Sequence, residues 1–161
     1  MEEGLRRDAE YIIRKTIEDV MPERAVKEEL KKLDLPGRIH VIAVGKAAWI
    51  MAKAAGELLQ GKIEEGIVVT KYRHAKGDLP GFIILEAAHP VPDEQSILAA
   101  DRVMDMVRGI RETDSVLFLI SGGGSALLER PVEGLCLEDI RRLTEQLLAC
   151  GAGIREINVI R

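Results

Sequence analysis

Aromatic residues are scarce in this chain of 161 residues, in which phenylalanine, tryptophan and tyrosine make up only 3% of the sequence. The hydrophobic fraction is nevertheless 47%, so we expect a core built mainly from aliphatic side chains. Only two cysteines are present, Cys136 and Cys150, without a C-x-x-C motif. Their spacing favours free, buried thiols in a reducing compartment over a disulfide or a metal site.

An excess of basic residues is also missing. The net charge is −4, whereas proteins that bind nucleic acids or acidic membranes carry a basic surface. The N-terminus is acidic and lacks the apolar segment of a signal peptide, and lysines interrupt the most apolar stretch of the chain. We therefore expect a cytoplasmic protein that binds neither nucleic acid nor membranes.

Short apolar runs alternate with helical patterns along the chain. Strands are predicted from the apolar and β-branched runs at 39–44, 66–70, 82–86 and 116–120. Helices are predicted from apolar spacing at 3–20, 22–33, 46–59, 93–108 and 137–149. Because helical crossovers join parallel strands, this alternation predicts an α/β domain with a mostly parallel sheet.

Candidate ligand-binding residues are those that directly follow the strands, because open parallel sheets bind ligands beyond the carboxyl ends of their strands. Gly45 and Lys46 follow the first strand. Lys46 stands at the predicted start of a helix, where the helix dipole disfavours a cation and favours an anion. This placement indicates an anionic ligand, and the alternative is a lysine that extends into solvent from a turn.

Three consecutive glycines, Gly122, Gly123 and Gly124, follow the fourth strand between Ser121 and Ser125. Without Cβ atoms the main chain can approach a phosphate or carboxylate closely, and the two serines add hydroxyl groups at the rims. The spacing matches neither a Walker A loop, nor the dinucleotide-binding G-x-G-x-x-G fingerprint, nor a nucleophile elbow. The loop is therefore interpreted as a phosphate cradle, with a plain flexible turn as the alternative.

His89 and Asp93 lie in a proline-rich connection between the third strand and the next helix. Both are candidate ligand-binding residues, although Asp93 could instead cap the helix and His89 could bond the backbone. A hydrolase pair of Ser125 and His89 also remains open, without a third member. No H-E-x-x-H motif or Cys/His cluster is present, so no zinc site is expected.

Four segments of the sequence resemble, in order, motifs of one family. They are Val41–Ala52, Glu86–Asp93, Leu119–Leu128 and Arg155–Val159. Together they resemble the N-terminal part of the type II glycerate kinases, the glycerate 2-kinases of the MOFRL family, formerly labelled hydroxypyruvate reductases. The resemblance implies a Rossmann-like, three-layer α/β/α sandwich.

The activity that the resemblance implies is the phosphorylation of D-glycerate to 2-phosphoglycerate by ATP with Mg²⁺. Lys46 matches the family's proposed catalytic lysine, which would neutralise charge on the transferring phosphoryl group or on the glycerate carboxylate. The loop from Ser121 to Ser125 matches the family's glycine-rich ligand loop. Gly45, His89 and Asp93 are carried over as substrate-binding or phosphate-binding residues, and no residue is assigned as a metal ligand.

Members of this family are well over twice as long as the present chain. Residues 1–161 are therefore expected to be an incomplete N-terminal α/β domain without the C-terminal MOFRL domain. The surface that a second domain would cover favours self-association. Two alternatives to the kinase are kept: a hydroxypyruvate reductase that uses NAD(P)H, and a catalytically silent domain that binds a nucleotide or an organic acid.

Overall fold

The computed structural model describes residues 2–161. These residues form seven helices and four strands. In chain order the elements are α1 (Glu2–Asp19), α2 (Pro22–Leu30), β1 (Ile39–Val44), α3 (Ala48–Leu58), β2 (Ile63–Lys71), β3 (Phe82–Ala87), α4 (Glu94–Arg108), β4 (Ser115–Ile120), α5 (Gly124–Leu127), α6 (Leu137–Ala149) and α7 (Ile154–Ile160). The α/β class with a parallel sheet is thus confirmed.

All four strands run parallel, in the order β3-β2-β1-β4. β1 pairs on both sides, so that Val44 at its carboxyl end lies beside Val69 of β2 and Ile120 of β4. The chain builds outward from β1 to β3 and then returns across β1 to form β4. Such a reversal of strand order opens a crevice between the loops that leave the two neighbouring strands on either side of the reversal, here the central strand β1 and the edge strand β4.

The sheet is covered on both faces by helices, as in a three-layer sandwich. One face packs against α2 and α3, and its core includes Val41, Ala43 and Val68. The opposite face packs against α4 and α5, and its core includes Ile42 and Val69. Trp49 is the one aromatic residue among the buried hydrophobic residues of the described chain, so the predicted aliphatic core is confirmed.

Two apolar surfaces stay exposed. On β4, the helices of the second face leave uncovered the side chains of Val116, Phe118 and Ile120, which are 47%, 47% and 63% exposed. Helix α1 has the predicted amphipathic pattern, but its apolar residues also face solvent. These are Leu5, Ile12, Ile13 and Ile17.

Two details differ from the sequence-based expectations. Helix α3 begins at Ala48 rather than Lys46, because the chain makes a turn before the helix begins. Both cysteines are free as predicted, but the prediction that they are buried is wrong, because Cys136 and Cys150 flank the exposed ends of α6. Within residues 2–161, no helix is long and apolar enough to cross a membrane.

Candidate functional site

The turn after β1 is fixed by a close approach between β1 and β4. Gly45 has φ +118°, and a Cβ atom there would lie 2.2 Å from the Oγ of Ser121. Only glycine fits this position without a shift of the backbone. The N–H of Lys46 donates to the carbonyl of Gly122 at 3.0 Å, and Thr70 Oγ1 donates to the carbonyl of Gly45 at 3.0 Å. The main chain of Lys46 is therefore held at the crevice between the two strands.

Ser121 stabilises this turn through hydrogen bonds of its side chain and its backbone. Its Oγ accepts a hydrogen bond from the N–H of Ala47 at 3.0 Å and donates to the carbonyl of Val44 at 3.3 Å. Its own N–H also donates to Val44, at 2.8 Å. The hydroxyl of Ser121, which the sequence analysis predicted to contact a ligand, is thus already hydrogen-bonded within the protein, where it joins the ends of β1 and β4.

The glycine loop brings three candidate residues together. Gly123 has φ +91°, and a Cβ atom there would lie 2.8 Å from the ring of His89 and 3.4 Å from the Cε of Lys46. In the described chain, the amides of Gly122, Gly123 and Gly124 donate to no carbonyl or side chain. Lys46, free main-chain amides and His89 therefore converge on one point, as an anion-binding site requires.

Helix dipoles contribute less to this site than the sequence indicated. The N-cap of α3 is Ala47, so Lys46 lies before the helix rather than in its first turn. Helix α5 is a single turn of four residues, from Gly124 to Leu127. The attraction for an anion therefore comes from the ammonium group of Lys46 and the loop amides.

His89 is half-buried beside these cations. Burial lowers the pKa of its imidazole, and the positive charges of Lys46 and Lys71 lower it further. The imidazole is therefore neutral near pH 7. A neutral ring can accept a hydrogen bond, or a proton, from a bound hydroxyl group.

Asp93 plays the structural role that was the alternative reading. It caps α4, where its Oδ1 accepts hydrogen bonds at 3.2 Å from the N–H groups of Ser96 and Ala88, and its Oδ2 accepts one from the hydroxyl of Tyr72 at 2.6 Å. Burial acts to raise the pKa of Asp93, but the hydrogen bonds outweigh it and the pKa is lowered. The hydrogen bond between the Tyr72 hydroxyl and Asp93 raises the pKa of Tyr72 to about 12. Asp93 thus fixes the segment that carries His89.

Ser125 lies exposed at the start of α5. Its carbonyl accepts a hydrogen bond from Arg161 at 3.2 Å, and Arg161 also pairs with Glu129. No hydrogen bond joins Ser125 to His89 within residues 2–161. The structure therefore brings His89 to the glycine loop without forming a hydrolase pair.

The sequence analysis assigned no role to the basic residues at and after the end of β2. Lys71 is the last residue of β2, and Arg73 and Lys76 lie on the loop that follows it and line a cavity together with Lys46. Their position directly after an apolar strand was the signal that could have identified them.

Magnesium has no ligand set among the described residues. No group of three His, Cys, Asp or Glu side chains there is close enough to hold a metal ion. Of the carboxylates near the strand ends, Asp93 is occupied as a helix cap and Glu86 accepts two backbone N–H groups. These residues do not fit a resident Mg²⁺ site.

Comparison with known proteins identifies the family. Residues 8–161 match the family described as a domain of unknown function, DUF4147. The chain belongs to the DUF4147 family. It is 55% identical over 159 residues to the D-glycerate 2-kinase of Thermotoga maritima, and this match covers 99% of the chain and 38% of that protein. The predicted resemblance to glycerate 2-kinases is thereby confirmed.

Other members of known name are also similar to this DUF4147 chain. The glycerate 2-kinase of Pyrococcus horikoshii is 47% identical over 131 residues, which is 81% of the chain and 29% of that protein. A protein of Agrobacterium vitis named putative hydroxypyruvate reductase is 46% identical over 127 residues, which is 78% of the chain and 28% of that protein. The crystal structure of the Thermotoga maritima glycerate kinase matches with a TM-score of 0.88 over 97% of this chain and 37% of that one. The chain thus spans less than two-fifths of these relatives.

The role of Asp93 as a helix cap predicts a pH-dependent loss of stability. Asp93→Ala should lower the free energy of unfolding by about 1 kcal/mol at pH 7, since it removes the N-cap of α4. Because the folded-state pKa of Asp93 is lowered, its stabilisation is complete above the unfolded pKa of about 3.9 and is lost as the pH falls through the folded pKa. Urea denaturation at pH 7 and pH 3 should show a smaller difference at pH 3.

The matched control for this experiment is Asp101→Ala, which lies in the middle of the same helix. Asp101 is exposed and lies 3.8 Å from Arg130. Its loss should change the free energy of unfolding by less than about 0.5 kcal/mol. An equal effect of the two substitutions at pH 7 would contradict the capping role.

The environment of His89 predicts a pKa that responds to Lys46. In an NMR titration, the imidazole of His89 should show a pKa below its ordinary value of about 6.5. Lys46→Gln should raise this pKa, because it removes a nearby positive charge, whereas Lys53→Gln should leave it unchanged. Comparison with His89→Gln assigns the resonance. A pKa that Lys46→Gln does not change would show that the two side chains are not neighbours.

Proposed function

We propose that residues 1–161 form the α/β domain of a cytoplasmic glycerate 2-kinase, which transfers the γ-phosphoryl group of ATP to the 2-hydroxyl of D-glycerate. The observation that carries this proposal is the convergence of Lys46, the free amides of the glycine loop and His89 at the crevice between β1 and β4. A kinase needs such a site because phosphoryl transfer depends mainly on positioning and on charge stabilisation. The 55% identity to a D-glycerate 2-kinase supplies the substrate.

The reaction assigns a task to each of these groups. The oxygen of the glycerate 2-hydroxyl bonds to the γ-phosphorus, the bond from this phosphorus to the bridging oxygen breaks, and ADP leaves with the electron pair. The ammonium of Lys46 stabilises the negative charge on the transferring group. His89, neutral near pH 7, accepts the proton of the hydroxyl, and the amides of Gly122 and Gly123 hold an anionic oxygen.

A hydroxypyruvate reductase is the second candidate, since relatives carry that name. It would need a nicotinamide dinucleotide site, for which the turns after β1 and β4 lack the G-x-G-x-x-G fingerprint. Oxidation of NADH or NADPH in the presence of hydroxypyruvate would favour this candidate over the kinase.

The kinase proposal predicts that Lys46 is essential for turnover. With ATP, D-glycerate and Mg²⁺, Lys46→Ala should lower the rate of ADP release about 100-fold or more, as loss of a group that stabilises transition-state charge does. Its melting temperature should stay nearly unchanged, because the side chain is exposed. Lys53→Ala, on the same segment but paired with Glu57, should keep the full rate.

If neither the wild-type chain nor the Lys46→Ala variant releases ADP, calorimetry tests the site instead. Binding of ATP and D-glycerate to the wild-type chain, weakened by Lys46→Ala, would support the site and match a domain that binds without catalysing. Absence of both turnover and binding would contradict the proposal.

We also propose that copies of the chain associate through the exposed apolar face of β4. This strand lies at the edge of the sheet, where unpaired backbone groups favour pairing with a second strand. Light scattering should therefore give a mass above that of one chain, and Phe118→Lys should lower it. Leu98→Lys, at an exposed residue of α4, should not. A monomeric wild-type mass would contradict this association.

A further inference from the structure

A second basic region lies beside Lys46, on the face of the sheet that packs against α3. It is a cavity of about 440 Å³. Its polar rim is formed by Lys46, Arg73, His74 and Lys76, and its apolar wall includes Trp49. The glycine loop and His89 lie on the other side of Lys46, next to α4 and α5. Lys46 is thus shared between two possible subsites.

We propose that this cavity binds the polyphosphate of ATP and that the glycine loop binds the carboxylate of glycerate. This inference rests on the proposed kinase function and deepens it, since the kinase reaction alone does not say which anion occupies which side. Lys46, between the two, then faces the phosphoryl group that passes from one to the other.

The cations of the cavity are not neutralised by carboxylates. Among the side chains of residues 4–161, Lys46, Arg73 and Lys76 take part in no ion pair. Elsewhere on this acidic chain most arginines and lysines do, as in the pairs of Arg24 with Glu28 and of Lys27 with Glu57. Unpaired cations around one cavity point to a polyanionic ligand.

The loop that carries these cations is held in a fixed conformation. The Oε1 of Glu86 accepts hydrogen bonds from the N–H groups of His74 at 3.1 Å and Ala75 at 3.0 Å. The indole N–H of Trp49 donates to the carbonyl of Gly77 at 2.8 Å. Glu86 thus contacts backbone amides of the loop, and Asp93 contacts the loop through the hydroxyl of Tyr72, so that neither carboxylate is paired with the cations. The loop is therefore arranged before a ligand binds.

A hydrogen bond connects the loop to Lys46, and one residue of the loop has an uncommon backbone conformation. The Nδ1 of His74 lies 3.1 Å from the carbonyl of Lys46, and since a carbonyl only accepts, Nδ1 carries the proton. Arg73 has φ +65°, a left-handed conformation that is uncommon for residues other than glycine. Such conformations are concentrated at functional sites, where surrounding contacts hold them in place.

Charge decides which reactant fits which side. The triphosphate of ATP carries three to four negative charges, whereas glycerate carries one. Besides the shared Lys46, the cavity offers two cations, Arg73 and Lys76, whereas the other side offers Lys71 near His89, the neutral loop amides and the neutral ring of His89. A polyanion gains most from the larger number of cations, and a single carboxylate is satisfied by amides.

Calorimetric titration with inorganic tripolyphosphate and, separately, with D-glycerate tests the assignment. The double substitution Arg73→Asn and Lys76→Gln should raise the Kd for tripolyphosphate at least about tenfold. It should leave the Kd for D-glycerate within about twofold of the wild-type value. Asparagine is chosen because it tolerates the left-handed backbone of Arg73. Gly123→Ala should raise the Kd for D-glycerate and leave the Kd for tripolyphosphate nearly unchanged, since its Cβ would meet the ring of His89. Arg102→Asn, on α4, is the control and should change neither Kd.

The outcomes separate this inference from the kinase function. Suppose that the wild-type chain binds both ligands, and that the double substitution leaves tripolyphosphate binding unchanged or weakens D-glycerate binding instead. The inference is then wrong, while the kinase function stands. If the wild-type chain binds neither, both are wrong. Binding of tripolyphosphate alone, lost in the double variant, supports the polyphosphate site. Thermal melts confirm that each variant is folded.

Discussion

The contact between the turn after β1 and the end of β4 determines the rest of this site. At Gly45 there is no room for a Cβ atom, because the hydroxyl of Ser121 occupies that space. The close approach lets Lys46 donate its N–H to Gly122 and lets Ser121 accept from Ala47, across 74 positions of sequence. Because β1 and β4 are neighbours at the reversal of strand order, the lysine and the glycine loop meet where the crevice opens.

Local charge at this edge runs opposite to the net charge of the chain. The protein is acidic overall, at −4, yet Lys46, Arg73 and Lys76 gather around one cavity, and Lys71 lies close enough to lower the pKa of His89. Net charge argues only about nucleic-acid binding, because that requires a broad basic surface. It carries no information about a small anionic ligand, for which three or four side chains at one edge suffice.

The predictions from sequence succeeded where one local segment contained the whole signal. The apolar run Ile39–Val44 predicted a strand, which β1 confirms. The residues named as candidates because they directly follow strands, Lys46 and the glycines, lie close together in the structure. The capping role of Asp93 was one of the two alternatives that the sequence left open, whereas the role of Ser121 could not be predicted, since its partners lie on other elements. The cavity rim depends on how the loop after β2 folds back onto Trp49, which no sequence pattern encodes.

The exposure of the cations has a consequence for how the site selects its ligand. Lys46 and Arg73 are open to water, where the attraction of a single charge pair is weak and screened by salt. No one cation at such a site can provide strong binding. Affinity must arise from several cations acting on one ligand, and a polyphosphate satisfies this condition better than a monocarboxylate. The acceptor must instead be recognised through geometry, by the glycine amides and by a histidine that burial keeps neutral.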